Sequence, residues 1–262
     1  MQLIKFCKPE HNIHRGAKLQ LGTLYGYRSI ENSEIRDETE GKYEFFIEFP
    51  QDIELDRQWS NLLFQGAIGF GQTNDTPRFS GQFSAHIEKM HVVRQSADSV
   101  VVRDTVIRIS RSVNNCLIFC MSLLESKQEN PFNNYDDHWA IPEQKVNEFS
   151  RRLGNLIFQQ AKLVDFDDTV SKIHSPATVS RLSLNVQHRR VLYRDRHMQI
   201  TEASKPTFDE LLNVLSDISF IKPERFTKEN EYRFVFELND GQTVFQPNKK
   251  NLLLTLNPLI DF

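Results

Sequence analysis

Residues 226–236 read FTKENEYRFVF, and the parity of this stretch decides how the chain is read. Side chains two apart on a strand share a face. As a strand, the stretch sets Tyr232, Phe234 and Phe236 on one face and Glu229, Glu231 and Arg233 on the other. The aromatic face is expected in the core. The acidic face is either a solvated ladder of ion pairs, worth little to stability, or a site.

The 262 residues suffice for a sizeable core in one or two domains. With 39% hydrophobic and 26% charged residues, the composition is that of a globular protein. No apolar stretch approaches the roughly 20 residues of a membrane helix, and MQLIKFCKPEH lacks the pattern of a secretory signal. The expected compartment is the cytoplasm, with no membrane partner. Cys7, Cys116 and Cys120 form no Cys-x-x-Cys pair and lie in apolar runs, which reads as inert buried thiols rather than a disulfide framework. The eight histidines make no ligand-spaced pair, so no metal is expected. A net charge of −3 does not advertise nucleic-acid binding. One local exception is RLSLNVQHRRVLYRDRH, residues 181–197, with five arginines. It reads either as the polar face of a strand or as a phosphate-contacting patch.

Ten glycines and ten prolines are dispersed, and nothing resembles a linker. One domain over 1–262 is the expectation, with allowance for a helical insertion at about 142–165. Residues 3–6 read as a strand, 9–15 as a short helix stopped by Gly16, and 31–41 (ENSEIRDETEG) as a solvated acidic loop. Residues 43–49 alternate as a strand, and the apolar run over 61–70 is strand or buried helix. Residues 78–121 are strand-rich. Val146, Phe149, Leu153, Leu156 and Ile157 mark a helix over 142–161. Thr207 and Glu210 form a capping box ahead of an apolar stripe. Strands around RRVLYRD, EYRFVFEL and KNLLLTL complete the chain. The ordering predicts an α+β fold with mixed or antiparallel sheets and helices concentrated in the second half. Neither Gly-x-Gly-x-x-Gly nor a P-loop is present, nor is a Gly-x-Ser-x-Gly elbow or a kinase signature.

What remains is distributed: Lys5 in the first strand, Tyr25, Tyr27 and Arg28 in GTLYGYR, Ser122 at the end of IFCMS, and Glu229 and Glu231. A basic first-strand residue, a hydroxyl or ring, and a late glutamate are what ADP-ribosyl transfer from NAD requires. Breaking the nicotinamide–ribose bond builds positive charge on the sugar, which a carboxylate stabilises. A second carboxylate can orient or deprotonate the acceptor.

The segments GTLYGYRSIE, IRDETEG, NCLIFCMS, RRVLYRD and KPERFTKENEYRFVF resemble a bacterial family of phage-defence islands. That family is similar in strand order to ADP-ribosyltransferases, including the CmdT-type toxins of toxin–antitoxin–chaperone operons, which modify mRNA. The resemblance covers most of the chain through short motifs. It implies NAD as co-substrate and a nucleic acid acceptor, RNA before DNA or protein. It also implies a neutralising antitoxin, with or without a chaperone. Glu231 would be the catalytic glutamate with Glu229 before it, and Tyr25 or Tyr27 the ring at nicotinamide. Lys5, Arg28 and Ser122 would bind NAD. The chain departs from the family pattern in having Lys5 where His or Arg is usual, and FCMS in place of Ser-Thr-Ser. The alternative reading is a non-enzymatic nucleotide- or protein-binding sensor module of a defence system. The two differ in whether Lys5, a GTLYGYR tyrosine and Glu231 meet in one cleft. A metal-dependent nuclease ranks lower, for want of an Asp…Glu-x-Lys set.

Overall fold

The computed structural model describes residues 1–16, 18–64, 79–124, 130–166 and 181–256. In chain order the strands are β1 (Gln2–Cys7), β2 (Lys18–Thr23), β3 (Lys42–Phe49), β4 (Ile53–Asp56), β5 (Gln82–Gln95), β6 (Ser99–Ser112), β7 (Leu117–Leu124), β8 (Asp137–Pro142), β9 (Ser183–Arg190), β10 (Leu192–Tyr193), β11 (His197–Ile200), β12 (Ile221–Lys222), β13 (Glu231–Asn239), β14 (Val244–Phe245) and β15 (Asn251–Thr255). The helices are α1 (Arg57–Phe64), α2 (Val146–Gln160) and α3 (Phe208–Asp217). This is a sheet-rich α+β fold. Its pairings are antiparallel except for β3 with β11 and β10 with β12. The expected helix over 9–15 is only a 3-10 turn, Pro9–His11. Residues 65–70 of the ambiguous apolar run, and Arg78, lie outside the described residues, while 61–64 end α1. Among the described residues, no helix is long and apolar enough to cross a membrane.

The chain forms two compact units: Met1–Glu40, Asn114–Arg194 and Ser219–Phe262 make the larger, and Gly41–Val113 with Asp195–Ile218 the smaller. The smaller unit centres on β6, which pairs with β3, β4 and β5. Its apolar interior is filled by Phe45, Ile109, Leu63, Ile200, Leu211 and Leu215. The capping box of α3 forms as expected: Glu210 N–H donates to Thr207 Oγ1 (3.2 Å) and Thr207 N–H to Glu210 Oε2 (2.8 Å).

In the larger unit, LIFCMSLL makes β7 a central strand. A short, continuous apolar run is what a strand covered on both faces requires, and seven of its eight residues are buried. One edge of β7 pairs with β13, which continues to β9. The other edge forks. Ser122, Leu123 and Leu124 pair with β1, whereas Leu117 and Ile118 pair with β2. β1 goes on to β8, and β2 to β15. One face of the sheet is covered by α2, whose predicted stripe (Val146, Phe149, Leu153, Leu156, Ile157) is buried with Phe119, Trp139, Phe234 and Phe236. α2 is therefore part of this core. Ring centroids of Phe149 and Phe234 lie 5.3 Å apart, edge to face, and those of Phe119 and Phe149 5.8 Å.

Phe149→Ala is expected to lower unfolding stability by about 3–5 kcal/mol, because the surrounding rings leave a cavity that cannot collapse. Urea unfolding followed by circular dichroism checks this, and a loss below about 1 kcal/mol would contradict the packing.

Candidate functional site

The two glutamates do not sit two steps apart on a strand. Lys222 ends β12, Pro223 opens a 3-10 helix, Glu224–Glu229, and Asn230 follows in the left-handed conformation (φ 43°, ψ 50°). Asn230 is one of the few residue types that tolerates this region. Its carbonyl accepts from Leu123 N–H (2.8 Å) and its side-chain amide donates to Leu123 O. Only at Glu231 does β13 begin. The reversal at Asn230 sets both carboxylates around the ammonium of Lys222, whose Nζ is 2.5 Å from Glu229 Oε2 and 3.0 Å from Glu231 Oε2. Arg233 completes the network. Its Nε donates to Glu231 Oε1 (2.6 Å), and Nη1 donates to Glu40 Oε1 (2.9 Å) and to Ser219 O (2.6 Å).

None of this is surface. Glu40, Lys222, Glu229, Glu231 and Arg233 are each 0–5% exposed. The solvated ladder is thereby excluded, because both faces of β13 are covered. The acidic loop is corrected in part: Asp37 and Glu40 are fully buried, while Glu31 and the Arg36–Glu38 pair stay at the surface.

Buried charges persist only when paired. Here two cations, Lys222 and Arg233, meet three carboxyl groups. Burial alone would raise the pKa of Glu231, but Arg233 and Lys222 outweigh it and hold the group well below its ordinary range. Glu229 is the surplus carboxyl. Burial pushes it up to about 7, against the pull of Lys222 and with the push of Glu231. Its Oε1 is buried and meets no donor.

The network opens into a cavity of about 530 Å³ at the fork of the sheet. Lys5, Tyr27, Ser122, Glu229 and Glu231 all line it, with Phe119, Phe132, Tyr135 and Trp139 as aromatic wall. Register defines two sides. Ile4, Ser122 and Glu231 lie abreast on β1, β7 and β13 and share a face. Lys5, one step on, is opposite Trp139 on the other face. Its Nζ donates to Cys120 O (2.8 Å) and stands 4.8 Å from the Phe119 ring centroid. Lys5 and Glu231 thus reach the cavity from opposite faces of the sheet. β1 is paired with β8 along its length and with β7 only over Gln2–Ile4, so Lys5 stands where the β7 edge is open.

Tyr27 enters because Gly22 lets its ring lie against β2. A Cβ at Gly22 would stand 2.7 Å from Tyr27 Cε2. Tyr25 and Arg28 are not part of the lining. The Arg28 guanidinium stacks on the Tyr25 ring at 3.6 Å, and Arg28 Nε donates to Glu40 O (2.7 Å). These two hold the loop that delivers Glu40. Burial raises the pKa of all three thiols, that of Cys120 to about 12; Cys7 and Cys116 are buried as expected, and Cys120 is half-buried. The basic run does not form one patch. Arg196 is 8% exposed and belongs to the smaller unit, while Arg189 and Arg190 lie exposed on β9.

Sequence reasoning missed Lys222, Glu40 and Trp139. It missed Tyr193 as well, whose hydroxyl accepts from Glu231 N–H (2.7 Å). The available signal was SFIKP, which sets a lysine inside an apolar run that must find an anion. Comparison of the chain with protein-family models, with curated proteins and with solved structures finds no match.

The carboxyl pair makes stability pH-dependent in two directions. The folded-state pKa of Glu229 (about 7) exceeds the ordinary 4.5. Its stabilisation is therefore full below pH 4.5 and lost as pH rises through 7, at most about 3 kcal/mol. Glu231 is depressed, so its contribution is present above 4.5 and lost on acidification. Glu229→Gln should remove the fall in Tm between pH 5.5 and 8 and keep the acid limb. An unchanged profile in thermal melts would contradict the assignment.

Proposed function

We propose that the cavity binds NAD and that the chain transfers ADP-ribose to a nucleic acid, with RNA the favoured acceptor. The observation that supports this best is Glu231. This carboxylate is kept ionised by Arg233 and Lys222, stands beside Ser122, and lines a largely aromatic cavity of ligand size. NAD supplies a sugar whose bond to nicotinamide, once strained, carries positive charge. A fixed carboxylate in a water-poor site stabilises such charge without reorganising. For a dinucleotide, Tyr27 offers a ring for stacking, and Lys5, with two donors left beside its bond to Cys120 O, a cation for the pyrophosphate. Glu229 takes the acceptor's proton, for which it must be ionised. Tyr25 and Arg28 support Glu40 and do not touch substrate. In this reading the chain is a toxin-like effector of anti-phage defence. It acts in the cytoplasm and is restrained by an antitoxin, with or without a chaperone.

A binding module without chemistry is the second reading. It is favoured by the two oxygens of Glu231, each of which already faces a cation.

Adenylate-labelled NAD offered to separate pools of RNA, single-stranded DNA and protein distinguishes the two. Label should enter the RNA pool and fall by about 10²–10³-fold in Glu231→Gln, with the circular dichroism unchanged. No label in any pool, together with no nicotinamide release, would leave the binding module.

Proton balance gives a further expectation. With Glu229 at about 7, transfer should rise about tenfold per pH unit below 7 and level off above it. Nicotinamide release into water, which depends on Glu231, should stay nearly flat between pH 6 and 8. Parallel profiles for the two would remove Glu229 from the proton path.

A further inference from the structure

We infer that Glu229 and Glu231 form a proton-sharing carboxyl pair and that Lys222 is the positioning residue that clamps them together. The inference stands on the geometry of the network and holds whether or not the cavity takes NAD.

Three observations carry it. First, one ammonium touches both carboxyl groups, at 2.5 and 3.0 Å, while itself 1% exposed. Lys222 therefore fixes the separation of the pair. Second, of the pair's four oxygens, three are bound to cations and Glu229 Oε1 is not. A proton on that oxygen turns an orphaned acceptor into a donor, beside a second carboxyl group that the same ammonium holds. Third, the charge count closes only with that proton. Lys222 and Arg233 balance Glu231 and Glu40, and an ionised Glu229 would leave one buried negative charge unpaired.

The other titratable groups around the pair leave this count unchanged. Tyr27, Tyr135 and Tyr193 are all pushed above their ordinary range by burial, and so is Cys120, to about 12. All four are neutral across the physiological range. Lys5 bonds Cys120 O and stands on the other face of the sheet.

Two carboxyls held this close cannot both ionise until the surroundings supply enough positive charge. Below about pH 7 the pair therefore carries one proton, held on Glu229, which lines the cavity. Any ligand there meets one carboxylate and one carboxylic acid. Such a site accepts and donates hydrogen bonds at once, as a hydroxyl-bearing part of a ligand requires.

Infrared spectroscopy reads the acid form directly, through the C=O stretch of a protonated carboxyl, on the full chain without ligand. Wild type should show an acid band at pH 6 that titrates away with a midpoint at about 7. The band with this midpoint should vanish in Glu229→Gln, which separates it from any band of Glu237, a half-buried carboxyl with a raised pKa. Lys222→Met should move the midpoint up by about one unit or more, and Lys222→Arg, which keeps the charge, should retain the band near its original midpoint. If Lys222→Met fails to fold, the Glu229→Gln and Lys222→Arg spectra still decide. No acid band in wild type at pH 6, or a band with this midpoint that survives Glu229→Gln, overturns the shared proton. A midpoint unmoved in folded Lys222→Met overturns the role of Lys222. An acid band in a chain that shows no NAD cleavage would sink the transferase reading and leave the pair intact.

Discussion

The guanidinium of Arg233 is the interaction on which the larger unit depends. It is 1% exposed, and it holds Glu231 on its own strand, Glu40 from 193 residues earlier, and the carbonyl of Ser219. A planar cation with a fixed fork of donors suits three partners in three directions, which an ammonium would not do. The arrangement is weak evidence for extra stability, since desolvating the charges costs about what their attraction returns. Its effect is specificity: without Arg233, Glu231 and Glu40 would lose the cation that joins them. The segment 1–40, the approach to β13 and β13 itself are thereby forced into one relative position.

That position makes the fork in the sheet useful. β7 serves β13 along one edge and divides the other between β1 and β2. Sheets that part leave unpaired backbone at the branch, and an unpaired carbonyl must find a donor. Lys5 supplies one, its Nζ bonding Cys120 O where no strand reaches. The branch stays open as a cavity because Lys5 fills the hydrogen-bonding need without filling the space. Gly22 adds to this by letting Tyr27 lie flat against β2. Each feature is local, yet the result is one pocket with an ionic wall and an aromatic one.

The periodic parts of this architecture were legible in the sequence. The aromatic alternation of β13, the α2 stripe, the Thr207 capping box and the unbroken apolar run of β7 each encode local periodicity, and each forms. Pattern fails where one residue breaks a period. Asn230 in the left-handed conformation turns Glu-x-Glu from two strand positions into two sides of a lysine, and nothing in the spacing distinguishes the cases. It fails too where a charge finds its partner far along the chain. Glu40 looks like loop surface because Arg233 is invisible from its neighbourhood. Tyr25 and Arg28 were grouped with Tyr27 by proximity in sequence, but a 3-10 turn over Gly26–Ser29 sends only Tyr27 to the cavity.

The connections of the larger unit carry one more consequence. The chain leaves this unit after Glu40 and after Arg194, and re-enters at Ser219. Glu40 and Ser219 both bond Arg233. Tyr193, one residue before the second exit, accepts from the backbone of Glu231, and Arg194 N–H donates to Lys222 O at 3.0 Å. Three of the points where the chain is cut into segments are thus tied directly to the residues that set the carboxyl pair. Loop ends are normally where a domain tolerates change, because few buried contacts depend on them. Here a change in length or direction at residue 40, 194 or 219 would pull on Arg233, Lys222 or the start of β13. Within the larger unit, the segment ends at residues 40, 194 and 219 and the carboxyl pair are thus one connected set of bonds.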